Sequence, residues 1–156
     1  MNTTPGSAEE KSTVPESETI GTGPVRLLPS APLNVKRPDW PGMRSRWIVP
    51  PVPGGWAGFA LSEWELHAAT WSDLHHHDEY NLVLEGELHV TSGGHTRIAR
   101  AGDTVVVAAG NLGRYSAPVF ARMIAVYGPN PGLSDEEAGY EALPGSGDAS
   151  TPPGPS

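Results

Sequence analysis

Apolar and polar residues alternate in short runs through the middle of the chain, and no helical apolar period lasts longer than a turn or two. β-type runs bounded by turn residues fall at 44–49, 58–68, 79–85, 87–91, 95–99, 104–109, 113–117 and 120–127. Many short strands separated by turn signals are typical of a β-sandwich or barrel. The pattern therefore predicts one all-β domain over residues 44–130.

The flanking segments differ sharply from this domain. Residues 1–22 are rich in Thr, Ser, Glu and Gly and predict a disordered tail, because they offer little apolar surface to bury. Residues 23–43 contain several prolines and predict an extended arm. Residues 131–156 read as an acidic Pro/Gly/Ser-rich tail, disordered from residue 144. Within that tail, residues 133–143 predict a short helix with Ser134 as its N-cap.

Composition narrows the class of function. The formal net charge is −8, most of it in the flanks, and no basic patch points to nucleic acid. The absence of cysteine excludes disulfides and thiolate catalysis. No apolar stretch reaches the roughly 18 residues that a membrane span needs. These features predict a cytoplasmic protein with a small-molecule ligand and with neither nucleic acid nor membrane as a partner.

The segment from Asp73 to Glu79, DLHHHDE, carries the most distinctive chemistry. On a regular strand, residues two apart share a face, so Asp73, His75, His77 and Glu79 would point the same way. Imidazole nitrogens and carboxylate oxygens are suitable ligands for divalent Fe, Mn, Ni or Zn. The segment predicts one divalent metal ion, and the competing interpretation is a solvated loop of histidines.

The residues after this segment resemble the first motif of the cupin family, in which two histidines precede a glutamate and a glycine. EYNLVLEG supplies Glu79 and Gly86 at the family spacing. The run GDTVVVAAGNLG resembles the second motif through Gly102 and Gly110. The resemblance implies a double-stranded β-helix, the jelly-roll barrel of cupins, with disordered tails. The glycines at the ends of these strands also predict sharp bends at Gly86 and Gly102 with positive φ.

The same resemblance leaves two possible registers for the ligands. In the family register the two motif histidines fall on Asp73 and His75, so Asp73, His75 and Glu79 lie inside and a bend turns His77 outward. Strand parity alone instead places His75, His77 and Glu79 around one ion. Gly113 stands where the second motif has its metal-binding histidine, so the usual fourth ligand is missing.

Within the family, three segments resemble the EutQ-type cupins of ethanolamine utilisation. They are DEYNLVLEGELHV (78–90), IARAGD (98–103) and the ARM…VYGPNP ending (121–131). Cupins of that type lack the standard metal ligands, and the resemblance implies a homodimer paired through barrel edges. It favours a rival function, a metal-free accessory or small-molecule-binding protein.

Three further residues are candidates for contact with a substrate. Arg114 and Tyr115 lie near the position of the missing second-motif ligand, and His89 lies in a predicted strand. Glu79 or Tyr115 would serve as the group that transfers a proton. The five tryptophans are scattered along the sequence and predict core or lid packing rather than an aromatic cage. The leading hypothesis is a metal-dependent enzyme of lyase, isomerase or dioxygenase type.

Overall fold

The computed structural model describes residues 20–21 and 23–145, apart from the side chain of Ala138. Its strands confirm the prediction of an all-β domain and follow the predicted runs closely, although several runs fuse into longer strands. Their bounds are β1 Asn34–Val35, β2 Met43–Val49, β3 Ala60–Leu74, β4 Glu79–Ser92, β5 His95–Arg100, β6 Thr104–Val107, β7 Leu112–Tyr127 and β8 Glu136–Ala142.

The strands pair antiparallel throughout, with β7 between β3 and β4 at the centre of the sheet. The order is β1-β2-β3-β7-β4-β5, while β6 adds to β4 and β8 adds to β3. Inward-facing apolar side chains form one core, including Trp64, Leu66, Val83, Leu88 and Met123. No helix in the part of the chain described here is long and apolar enough to cross a membrane.

A bulge in β3 decides which of its residues face the interior. The register against β7 shifts between His67 and Ala69, and the intervening Ala68 has a φ of 41°. One extra residue in a strand reverses the alternation that follows. Trp64 and Leu66 face inward before the bulge, and after it Trp71 and Asp73 are buried on the inner side. The bulge thereby brings Asp73 into the barrel.

The predicted bends at Gly86 and Gly102 are confirmed. Their φ values are 76° and 94°, in the left-handed region that favours glycine. Gly86 lies within β4, where the register against β7 shifts twice. A Cβ added there would collide with the backbone carbonyl of Phe120. Glycine is therefore required at this position both for its conformation and for the close approach of β7.

The C-terminal segment differs from expectation, because the predicted helix over 133–143 is wrong. Residues 136–142 form β8, which pairs with the second half of β3. Tyr140 anchors the strand: its ring stacks on Trp40, and its hydroxyl accepts a hydrogen bond from the Gly42 N–H at 2.9 Å. Long-range pairing thus outweighs the local capping signal at Ser134.

The predicted tails lie mostly outside the described residues. This applies to residues 1–19, 22 and 146–156. The arm over 23–43 contributes β1, which pairs with β2. The sheet therefore extends on both sides of the predicted 44–130 domain.

Candidate metal centre

A cavity of about 170 Å³ lies inside the barrel, between the inner face of the sheet and the segment before β8. Four of the five tryptophans line it: Trp47, Trp56, Trp64 and Trp71. Scattering along the sequence therefore does not keep the tryptophans apart in the fold, although Trp40, Trp64 and Trp71 do belong to the core, as predicted. The cavity wall also carries four carboxylates, those of Asp73, Glu79, Asp135 and Glu137.

Three buried atoms converge at one end of this cavity. His75 Nε2 lies 2.9 Å from Asp73 Oδ1 and 2.5 Å from Glu79 Oε2. None of these three atoms has a hydrogen-bond partner of acceptable geometry among the described residues. The side chains of Asp73, His75 and Glu79 are buried, and their ligand atoms all lie within 4.8 Å of one another.

The second oxygen of each carboxylate is fixed by a hydrogen bond from the barrel wall. Trp71 Nε1 donates to Asp73 Oδ2 at 2.7 Å. Asn81 Nδ2 donates to Glu79 Oε1 at 2.8 Å, and the amide oxygen of Asn81 accepts from Trp64 Nε1 at 2.8 Å. These bonds occupy the outer oxygens and leave Asp73 Oδ1 and Glu79 Oε2 directed at His75.

The other ring nitrogen of His75 faces a carboxylate that comes from the β7–β8 connection. Asp135 Oδ2 lies 3.3 Å from His75 Nδ1. Burial alone would lower the pKa of His75, but its contacts with Asp135, Asp73 and Glu79 outweigh burial and raise the pKa to about 12. Burial also raises the pKa of Asp73. A single imidazolium thus faces three carboxylates, which leaves the cluster negatively charged when the carboxylates are ionised.

This arrangement fits a divalent cation. An ion among Asp73 Oδ1, His75 Nε2 and Glu79 Oε2 would satisfy three buried atoms that otherwise lack partners, and it would offset the excess negative charge. Metal-binding histidines commonly direct their second ring nitrogen at a carboxylate, which is the position of Asp135. Two carboxylates with one imidazole are donors suited to Mn(II) or Fe(II).

His77 corrects both predicted registers. Its side chain does not turn outward, as only 2% of the residue is exposed. Its Nδ1 lies 3.7 Å from Asp135 Oδ1 and 3.3 Å from Asn130 Nδ2, and its ring packs against Trp56 and Tyr127. His77 therefore joins a neighbouring His75–His77–Asp135 group rather than the group that contains Glu79.

Tyr115 fills the space where the family's fourth ligand would stand. A side chain at Gly113 would meet the Tyr115 ring and hydroxyl at 2.7–2.9 Å. The Tyr115 side chain is fully buried and packs edge-on against Trp64. Burial raises the pKa of Tyr115, and the carboxylates of Glu79 and Asp73 raise it further. The phenol therefore keeps its proton near neutral pH, beside Glu79.

The structure does not bring Arg114 or His89 to the cavity. Each neighbours an inward-facing residue and so points to the outer face of the barrel. The Arg114 side chain is 53% exposed and pairs with Glu141, and His89 Nε2 lies 2.6 Å from Glu87. Their predicted contact with a substrate inside the barrel is thereby corrected.

Sequence reasoning missed Asp135 and Asn81. The sequence places Asp135 in a polar tail, and only the pairing of β8 with β3 brings it to the cavity. Asn81 did carry a usable signal, because it follows Glu79 by two residues and so shares its inward face.

Comparison with known proteins agrees with this architecture. Residues 61–126 match the model of the cupin-domain family. The acetate kinase EutQ of Salmonella typhimurium LT2 is 37% identical over 73 residues, which cover 47% of this chain and 30% of that protein. The chain thus spans less than a third of the length of this curated relative.

Two solved structures share the fold of this chain. A putative ethanolamine utilization protein Q from Salmonella typhimurium LT2 superposes with a TM-score of 0.58 at 26% identity, over 72% of this chain and 93% of that chain. Salicylate 1,2-dioxygenase from Pseudoaminobacter salicylatoxidans superposes with a TM-score of 0.54 at 20% identity, over 64% of this chain and 30% of that chain, a likeness of fold alone. Residues 61–126 therefore form a cupin domain related to the EutQ cupins.

Proposed function

We propose that this protein is a metal-dependent cupin enzyme that binds one divalent cation through Asp73, His75 and Glu79. The observation that carries the proposal is the convergence of three buried ligand atoms without hydrogen-bond partners. The substrate is a small polar organic molecule, because the cavity of about 170 Å³ has room for little more. A bound divalent ion would supply Lewis-acid polarisation of a substrate oxygen.

The chain's own residues have separate tasks in this proposal. Trp71 and Asn81 hold the two carboxylates in place. Glu79 lines the cavity and is the candidate group for proton transfer, while the buried Tyr115 phenol beside it keeps its proton and is not among the residues that line the cavity. Lyase, isomerase and dioxygenase chemistries are all compatible with this set.

The second candidate is a metal-free EutQ-like accessory protein. One observation favours it: the position of the family's fourth ligand is Gly113, and Tyr115 occupies the adjacent space. In that case the cavity would bind a small molecule without transforming it. The expected homodimer and cytoplasmic location stay predictions under both candidates.

Elemental analysis of purified, untagged protein separates the two candidates. The enzyme proposal expects about one ion per chain, either as isolated or after reconstitution with Fe(II), Mn(II), Ni(II) or Zn(II). Loaded and chelated samples are then compared for oxygen consumption and for turnover of small hydroxy and keto compounds by NMR. Less than a tenth of an ion per chain after all four reconstitutions would reject the metal-dependent enzyme in favour of the metal-free accessory protein.

A further inference from the structure

The amide orientation of Asn130 is set by backbone groups. Its Oδ1 accepts hydrogen bonds from the N–H groups of Gly132 at 2.8 Å and Leu133 at 3.1 Å. Its Nδ2 donates to the Leu133 carbonyl at 3.2 Å. Backbone donors and acceptors cannot exchange roles, so a flipped amide would place donors against donors. The Nδ2 group is therefore the one that faces His77.

This orientation selects the tautomer of His77. Asn130 Nδ2 lies 3.3 Å from His77 Nδ1, within hydrogen-bond distance. A donor at that position requires the lone pair on Nδ1, and a neutral imidazole then carries its proton on Nε2. The competing acceptor, Asp135 Oδ1, lies 3.7 Å from Nδ1, beyond a hydrogen bond.

His75 lies in a different environment from His77. Asp135 Oδ2 faces His75 Nδ1 at 3.3 Å as an ion-pair contact rather than a well-formed hydrogen bond. The carboxylates around His75 raise its pKa to about 12, so both of its ring nitrogens carry protons in the metal-free chain. Of the two adjacent rings, His77 is therefore the one whose tautomer is set by a neighbouring amide.

The donor on His77 has no acceptor in the described part of the chain. His77 Nε2 is buried without a hydrogen-bond partner, and the residue lines the cavity. The ring is held between Trp56 and Tyr127, with centroid distances of 5.4 Å and 5.3 Å. Since buried N–H groups in folded proteins are almost always paired, an acceptor from a bound molecule is expected at this nitrogen.

We propose that His77 is a neutral Nε2–H donor that binds an oxygen atom of the ligand, and that Asn130 is the residue that positions it. This assignment deepens the proposed function, because the ligand shares the cavity with the metal, and it makes His77 a binding residue rather than a metal ligand. The oxygen belongs to a neutral carbonyl or hydroxyl group.

The charge of the wall supports a neutral group. In the metal-free cavity, four acidic residues face three positive groups, which are Lys36, Arg46 and the His75 imidazolium. Lys36 already pairs with Glu137 at 3.5 Å, and Arg46 pairs with Glu63 at 2.7 Å. A ligand carboxylate would enter a wall whose negative charge already exceeds its positive charge, and placing like charges together disfavours binding.

Long-range ¹H–¹⁵N spectra of the histidine rings test the tautomers directly. At about pH 8, above the ordinary imidazole pKa of about 6.5, wild-type His77 should show a protonated Nε2 and a lone-pair Nδ1. Asn130→Asp keeps an acceptor for Gly132 and Leu133 but replaces the amide donor with an oxygen, so the His77 proton should move to Nδ1. Asn111→Asp, the same exchange at an exposed turn, should leave His77 unchanged. A wild-type His77 protonated on Nδ1 would overturn the assignment.

The ligand class is tested with acetamide and acetate, two probes of matched size. Acetamide should shift the His77 Nε2 resonance and bind about tenfold or more tightly than acetate, since like charges disfavour the latter. Tighter binding of acetate than of acetamide would overturn the assignment of a neutral ligand. An unchanged His77 Nε2 resonance with acetamide would do the same. Neither the spectra that report the tautomers nor the titrations with acetamide and acetate require a bound metal. If the protein binds no metal but shows the predicted His77 tautomer and the preference for acetamide, the proposed enzyme function is wrong and the assignment of His77 still holds.

Discussion

Asn81 donates a hydrogen bond from Nδ2 to Glu79 Oε1 at 2.8 Å, and this bond decides which oxygen of Glu79 faces His75. Asn81 is itself fully buried and is held by the indole N–H of Trp64. The proposed metal site therefore depends on a residue that would not touch the ion. A partner of this kind commonly changes metal affinity by about 10–100-fold.

Replacement of this amide should weaken metal binding without removing a ligand. Asn81→Leu keeps the approximate volume but frees Glu79 to rotate, and we expect metal affinity to fall by about 10–100-fold. Isothermal titration with Mn(II) or Zn(II) measures the loss. Asn111→Leu is the matched control, because Asn111 contacts only the turn backbone of Ala108 and Ala109. Equal affinities for Asn81→Leu and wild type would show that Glu79 needs no such support.

Metal binding should release a proton and strengthen as pH rises. The carboxylates around His75 raise its pKa to about 12, so in the metal-free protein both Nδ1 and Nε2 carry protons throughout the neutral range. A metal ion at Nε2 must displace the proton there. The apparent affinity for the metal should therefore increase by about tenfold per pH unit between pH 6 and 8. Calorimetric metal titrations in buffers of different ionisation enthalpy give the number of protons released on binding. An affinity that is flat above pH 7 would mean that His75 has an ordinary pKa.

Much of the barrel follows from sequence because its signals are local. The alternation of apolar residues and the glycines at 86 and 102 predict the strands and their bends. The convergence of Asp73, His75 and Glu79 follows the sequence pattern, because residues two apart on a strand share a face. Strand parity correctly places His77 inside, and the family register fails there. The chain bends between β3 and β4 and Asn130 holds the ring, so His77 lies beside Asp135 rather than beside Glu79. Asp135 lies 60 residues from His75, and only the docking of β8 brings the two together.

The two positive-φ glycines should respond differently to alanine. Gly102→Ala imposes backbone strain alone, since nothing lies within 4 Å of the added Cβ, and we expect a loss of about 1 kcal/mol in the free energy of unfolding. Gly86→Ala adds a collision with the Phe120 carbonyl and should cost roughly 3 kcal/mol or more. Urea unfolding of both variants gives the comparison. Equal losses would mean that β7 does not approach β4 closely at this glycine.

The docking of β8 should depend on the Tyr140 hydroxyl. Tyr140→Phe removes the acceptor for the Gly42 N–H, so we expect a loss of about 1 kcal/mol. Hydrogen exchange of residues 136–142 should accelerate, because these amides pair with the edge of β3. Tyr80→Phe, whose side chain is partly exposed, is the control. Unchanged exchange in Tyr140→Phe would indicate that strand pairing alone holds β8.

The measurement closest to the central claim is zinc titration of four single variants beside the wild type. If the ion lies among Asp73, His75 and Glu79, the wild type binds about one ion per chain, and His75→Ala, Asp73→Asn and Glu79→Gln each abolish tight binding. His77→Ala keeps it, because His77 belongs to the neighbouring group with Asp135. Loss of binding in His77→Ala together with full binding in Asp73→Asn would contradict the account and move the ion to His75, His77 and Asp135.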